Sequence, residues 1–185
     1  NWLRSKNYEI FINIMQISEI DKKKIKSISK FLNRCKIKHL YFADSLGALK
    51  IKKFTKIIKE FKKYWRFNLG LHAHNNLNKA LENSVFAIKN DFKWIDATIL
   101  GMGRGPGNLL TEDILRKYYP KDVKYINSIK TSHFNKLKKK YRWGSNKYYK
   151  AAAIYGIHPT YIQEMLSEKR YRKNDYDNIL LNLKR

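Results

Sequence analysis

An α/β fold built on a parallel sheet is predicted for this chain of 185 residues. Two observations point to it. Short, almost continuous apolar runs recur at 8–17 (YEIFINIMQI), 39–43 (HLYFA), 67–74 (FNLGLHAH) and 94–101 (WIDATILG). Runs of this length and continuity suit strands buried on both faces. Between them, apolar residues fall at spacings of three and four, as on amphipathic helices. The strand starts at about 8, 39, 68 and 94 give a βα repeat of roughly 30 residues. Strands alternating with helices imply parallel pairing. Two architectures fit: a doubly wound open sheet, or part of a barrel of eight βα units.

The elements follow in order. After the first run, Ile25, Ile28, Leu32 and Cys35 mark a helix. After the second, Ile51, Phe54, Ile57, Ile58 and Phe61 mark another, and after the third, Leu77, Leu81, Val85 and Ile88. The fourth run leads into GMGRGPGNLLTED (101–113), a glycine-rich loop that opens a helix with Thr111 or Asn108 as its cap. A complete barrel needs about 250 residues, and beyond Pro120 the pattern changes to short helices broken at Gly144, Gly156 and Pro159. The expected division is a sheet domain over 1–120 and a helical extension over 121–185.

Composition narrows the function. With 43% hydrophobic and 14% aromatic residues the chain is globular. No stretch approaches a transmembrane helix, and no signal peptide is visible at the start, which lacks Met and reads as the middle of a longer chain. Cys35 is alone, which excludes an internal disulfide framework and points to a reducing, cytoplasmic compartment. The 40 Lys+Arg against 15 Asp+Glu leave a net charge of +25. Because the lysines are scattered over helix exteriors (DKKKIKSISK, FNKLKKKYR), they read as solvated faces, weakly attractive to polyanions. No specific nucleic-acid partner and no membrane is expected.

Three strand ends carry chemistry. In a strand, residues two apart share a face, so His72 and His74 project together at the C-terminal end of the third. Parallel α/β folds build their sites at that end. Two imidazoles so placed are a common metal-ligand pair, although two hydrogen-bonded histidines satisfy the same pattern. The second strand ends in Asp44 and Ser45, which also suit a turn and helix cap. The glycine loop after the fourth, ending at Asn108, lets backbone approach a ligand. It matches neither a Walker loop nor a first-strand dinucleotide fingerprint.

The segments YFADSLGAL, LGLHAHNNLNKALENSVFAI and WIDATILGMGRGPGNLLTED, in this order and spacing, resemble the metal-dependent aldolase/lyase superfamily of TIM barrels. That group includes 4-hydroxy-2-oxovalerate aldolase, HMG-CoA lyase and the isopropylmalate and homocitrate synthases. The resemblance spans residues 8–115 and implies the last four βα units (strands 5–8) of a (β/α)8 barrel. The stretch WGSNKYYKAAAIYGIHPTYIQEML resembles the region after the barrel in bacterial aldolase-domain proteins. The resemblance implies that His72, His74 and Asn108 bind metal, and that Asp44 and Ser45 lie at the keto-acid carboxylate. Tyr148 or Tyr149 is the candidate for a catalytic tyrosine beyond the barrel. The Asp ligand and Arg of the first strand have no counterpart in this chain.

As an activity, the resemblance implies a carbon–carbon lyase of aldolase type. It would use Mn²⁺ or Mg²⁺, with Zn²⁺ as an alternative, to stabilise the enolate of a 2-keto acid such as pyruvate, with an aldehyde as second substrate. An acyl-CoA-condensing transferase on the same scaffold, or an inert polyanion-binding module, are the other readings. Open sheet edges and an uncovered apolar barrel interior predict a homo-oligomer in the complete protein.

Overall fold

Four strands form where the apolar runs lie. The computed structural model describes residues 2–184. A single turn, α1 (Trp2–Ser5), precedes β1 (Phe11–Ile14), α2 (Lys22–Arg34), β2 (His39–Asp44), α3 (Ile51–Phe61), β3 (Asn68–Ala73), α4 (Ala80–Lys89) and β4 (Trp94–Asp96). The strands pair in parallel in the order β1-β2-β3-β4. A doubly wound sheet reverses its strand order at a switch point, whereas a barrel adds each strand beside the last. The sequential order therefore selects the barrel arrangement, with β1 and β4 as open edges.

The first strand is shorter than its apolar run. Gln16 turns left-handed at φ 52°, and Ile17–Glu19 form a 3-10 turn whose Ile17 is buried. Helix α2 starts where Asp21 Oδ1 accepts the Lys24 N–H at 2.7 Å, an acidic cap before a lysine run. Two expectations are corrected. Helix α4 begins at Ala80, beyond Leu77, and buries Ala80, Asn83, Ser84 and Ala87 rather than Leu81, Val85 and Ile88, which stay half-buried. Small residues let this helix lie close to the sheet, and the Asn83 amide donates to the Leu49 carbonyl at 2.9 Å. Helix α5 (Thr111–Tyr118) is capped at Leu110 without a side-chain bond, so neither Thr111 nor Asn108 serves as its cap.

Alternate strand residues build two different faces. Leu40, Phe42, Leu69 and Leu71 meet Phe54, Ile57, Ile58 and Phe61 of α3 in the main core. On the other face, in-register partners form rows: Phe11–His39–Asn68, then Asn13–Tyr41–Gly70–Trp94, then Ala43–His72–Asp96. Phe11 stacks on His39 with centroids 4.5 Å apart and meets Trp94 edge-on at 5.1 Å. Gly70 is required here, because a Cβ would stand 2.7 Å from the Tyr41 ring.

After a 3-10 turn at Pro120–Asp122, helices α6 (Val123–Ile129) and α7 (Asn135–Tyr141) run on through a π turn at Lys130–Phe134. Then come α8 (Lys147–Tyr155), α9 (Pro159–Ser167) and α10 (Tyr176–Leu183). Gly156 ends α8 left-handed at φ 71°, and Pro159 opens α9, as the sequence breaks predict. These three helices share a second, smaller core around Tyr149, Ile162, Met165 and Leu180. Among the described residues, no helix is long and apolar enough to cross a membrane.

Candidate active site

The site forms where β2, β3 and the loop after β4 end together. Strand β3 stops at Ala73, and His74 pairs with Asn108 in an isolated antiparallel bridge. The Leu109 N–H donates to the Ala73 carbonyl and the Asn75 N–H to the Gly107 carbonyl, each at 3.0 Å. The glycine loop is thereby tied across the end of β3. Gly103 must be glycine, since a Cβ would lie 2.3 Å from the Asn108 side-chain nitrogen.

Both histidines have one ring nitrogen committed. His72 Nδ1 lies 3.0 Å from Asp96 Oδ2, and His74 Nδ1 lies 3.0 Å from the Gly107 carbonyl. Carboxylate and carbonyl only accept, so each Nδ1 carries a proton, and in the neutral ring the lone pair is then on Nε2. Asp96 is itself approached by the Tyr41 hydroxyl, whose pKa is pushed up to about 12 by burial and then by the Asp96 charge. Burial, then His72, lowers His74 to about 4, which holds it neutral near pH 7. The two rings meet edge-on with centroids 5.2 Å apart.

His72 and His74 open into a cavity of about 350 Å³ with Ser45, Arg104, Asn108, His158 and Gln163 in its wall. The hollows of about 750 and 860 Å³ contain neither His72 nor His74. Asn108 donates through Nδ2 to the Met102 carbonyl at 3.1 Å, while its buried Oδ1 has no partner. Among the described residues, no three His, Cys, Asp or Glu side chains cluster as a metal site. Two imidazoles with free Nε2 atoms beside an unpartnered amide oxygen nevertheless suit a divalent cation that takes water or substrate oxygens for its other ligands. Burying that Oδ1 unpaired is costly unless a ligand satisfies it.

The other expected residues separate. Ser45 lines the cavity, and its Oγ accepts the Gln16 N–H at 3.0 Å. Asp44 faces the opposite side of β2. Its buried carboxylate accepts the Leu49 and Ala48 N–H groups at 3.0 and 3.4 Å and so shapes the turn that carries Ser45. Burial, opposed by those bonds, raises its pKa to about 6. Tyr148 packs edge-on against Tyr176 at 5.3 Å, and Tyr149 lines the 750 Å³ hollow on the far side of the Arg104 loop. Neither tyrosine lines the histidine cavity.

Sequence reasoning passed over Asp96, Arg104, Glu112, His158 and Gln163. Asp96 sits in an apolar run and reads as strand. Glu112 reads as an ordinary first-turn acid. In the fold its buried carboxylate accepts the Leu100 N–H with both oxygens, at 3.1 and 3.2 Å, and holds Leu100 left-handed at φ 52°. His158 and Gln163 belong to α9 and its cap, and only the contact of this helix with the loop brings them to the cavity.

The family model described as HMGL-like matches residues 1–139. The chain belongs to this family. It is 37% identical over 76 residues to a 4-hydroxy-2-oxovalerate aldolase of Brevibacillus brevis, covering 41% of this chain and 22% of that protein. It is 27% identical over 103 residues to the homocitrate synthase subunit alpha of Clostridium pasteurianum, covering 56% and 38% respectively. The N-terminal domain of a candidate aldolase from Bacteroides vulgatus superposes with a TM-score of 0.75 at 30% identity, over 96% of this chain and 60% of that one. The chain thus spans well under half of these two curated relatives' lengths. The four βα units are the second half of a (β/α)8 barrel, as the sequence implied.

Proposed function

We propose that the four βα units serve a divalent-metal-dependent carbon–carbon lyase of aldolase type, acting on a 2-keto acid and an aldehyde. One observation carries this. His72 and His74, with Nδ1 engaged and, among the described residues, no partner at Nε2, line a cavity together with Asn108, whose buried Oδ1 has no partner. Mn²⁺ or Mg²⁺ suits a site completed by carboxylate, carbonyl and water oxygens, with Zn²⁺ as the softer alternative. When bound, such a cation supplies Lewis acidity toward a keto oxygen.

The chain's own residues do the rest. Asp96 and the Gly107 carbonyl hold the two rings in the ligating tautomer. The Ser45 hydroxyl already accepts from the Gln16 N–H, so its proton is free to donate to the keto-acid carboxylate. Asp44 fixes the turn on which Ser45 stands. His74, neutral through burial, keeps its lone pair for the ion. Small-molecule turnover in a reducing cytoplasm agrees with the single Cys35, and the helical extension from 121 closes one side of the cavity.

Deuterium exchange into the methyl group of pyruvate, followed by NMR on the full-length protein with Mn²⁺ or Mg²⁺, tests the proposal. Exchange without aldehyde is expected, and His72→Ala with His74→Ala abolishes it together with metal binding. The similarity to a homocitrate synthase subunit favours a second reading, an acyl-CoA-condensing transferase. No pyruvate exchange, alongside condensation of acetyl-CoA with a keto acid, would establish that instead.

A further inference from the structure

We propose that Arg104, His158 and Gln163 form a subsite for the part of the substrate remote from the reacting carbons, and that this part carries an anionic group next to a hydroxyl. The inference rests on the lyase reading for which carbons react. The subsite itself stands on separate residues, contributed by the extension and the glycine loop.

All three side chains line the cavity that holds His72 and His74. Arg104 comes from the loop after β4 and donates to Thr160 Oγ1 at 2.6 Å, which ties the guanidinium to another residue of the cavity wall. A guanidinium has five N–H donors, so the Thr160 bond leaves donors over for an anion. His158 caps α9, and its Nδ1 accepts the Thr160 N–H at 3.3 Å. The other ring nitrogen, Nε2, then carries the proton and donates. Gln163 lies one turn further along α9, and its Oε1 is buried without any partner.

That set has a definite chemistry. Two donors, one of them charged, share the cavity wall with a residue whose amide oxygen needs a donor of its own. A carboxylate or phosphate satisfies the first two, and a neighbouring hydroxyl satisfies Gln163 Oε1. A plain alkyl aldehyde would leave Oε1 orphaned and Arg104 without an anion. The 350 Å³ of the cavity corresponds to roughly a dozen waters at ~30 Å³ each, which accommodates a keto acid together with a short hydroxylated acid.

Calorimetry on the full-length protein with non-reacting probes tests this: glycerate and glycerol 3-phosphate against glycerol, and glycerate against propionate. Working at 0.3 M salt screens the scattered lysines. The anions are expected to bind at least tenfold tighter than glycerol, and Arg104→Gln to lose at least tenfold for whichever anion is preferred. A preference for glycerate over glycerol 3-phosphate, or the reverse, decides between carboxylate and phosphate. Gln163→Leu should erase the preference for glycerate over propionate. Equal binding of glycerol and both anions, or an Arg104→Gln protein that binds the anions as tightly as wild type, overturns the proposal. Pyruvate exchange is measured independently. Exchange with no anion preference removes the subsite alone, and anion preference with no exchange removes the lyase reading alone.

Discussion

The two faces of the sheet are made by alternate residues of the same strands, yet they differ in kind. Leu40, Phe42 and Leu71 on the helix side are fully buried among the side chains of α3. On the opposite face Phe11 is 41% exposed, and Tyr41 and Trp94 are half-buried. That inner face also changes along the strands, from aromatic rows at their N-terminal ends to Asp96, His72 and His74 at their C-terminal ends. The helix side holds this half of the barrel together. The inner face places polar groups where the strands end, and its aromatic rows have little to bury against in these four units.

The sharpest test of this division is a pair of deletions of the same ring. Phe54→Ala, fully buried behind the sheet, should cost about 3–5 kcal/mol. Phe11→Ala should cost about 1–1.5 kcal/mol, because a little over half of its ring is out of water. Urea unfolding of both variants measures the difference. Equal losses would mean that the inner face is a core in its own right.

The carboxylates divide in the same way. Asp44, on the helix side, has a folded pKa of about 6 against 3.8. The folded state therefore retains a proton that the unfolded chain loses between pH 4 and 6. The stability this contributes is complete below pH 4 and is lost as pH rises through 6. Asp44→Asn keeps a neutral side chain, so from pH 4 to 7 its stability should gain on wild type by on the order of 2–3 kcal/mol. Parallel unfolding curves across that range would break the assignment. On the inner face, Asp96 is 46% exposed and bonded to His72. Asp96→Asn should leave unfolding nearly unchanged and weaken Mn²⁺ binding about ten- to hundredfold, read by calorimetry. Loss of stability without loss of metal affinity would make Asp96 part of the scaffold alone.

Much of this was legible in the residues. The four apolar runs located the strands, and the spacing of two placed His72 and His74 on one face. The extent of β1 was not legible, because a left-handed Gln16 ends it within an apolar run. The buried stripe of α4 was missed because the helix packs closely, and close packing selects Ala80, Ser84 and Ala87 over the larger apolar residues that periodicity finds. Asp96 looked like strand because its partners lie on other elements. Arg104, His158 and Gln163 depend on a contact between segments about 55 residues apart, as between Arg104 and Thr160, and no local pattern encodes such a contact.

Asn76 stands two residues beyond His74 and is almost wholly buried. Its amide donates to the Leu46 and Tyr149 carbonyls at 3.2 and 2.7 Å and accepts the Ser145 hydroxyl at 2.5 Å. One side chain thus closes the β2 loop, the β3 loop and the start of α8 against each other. This closure predicts that the joined segments unfold together. With Asn76 in place, amides of α8 should lose hydrogen-exchange protection at the same urea concentration as those of β2 and β3, as one opening unit. In Asn76→Ala, which removes the bonds to the Tyr149 carbonyl and from the Ser145 hydroxyl, α8 should open at lower urea while the strands hold. The last helices are then a module whose folding is gated by a single amide next to the histidines.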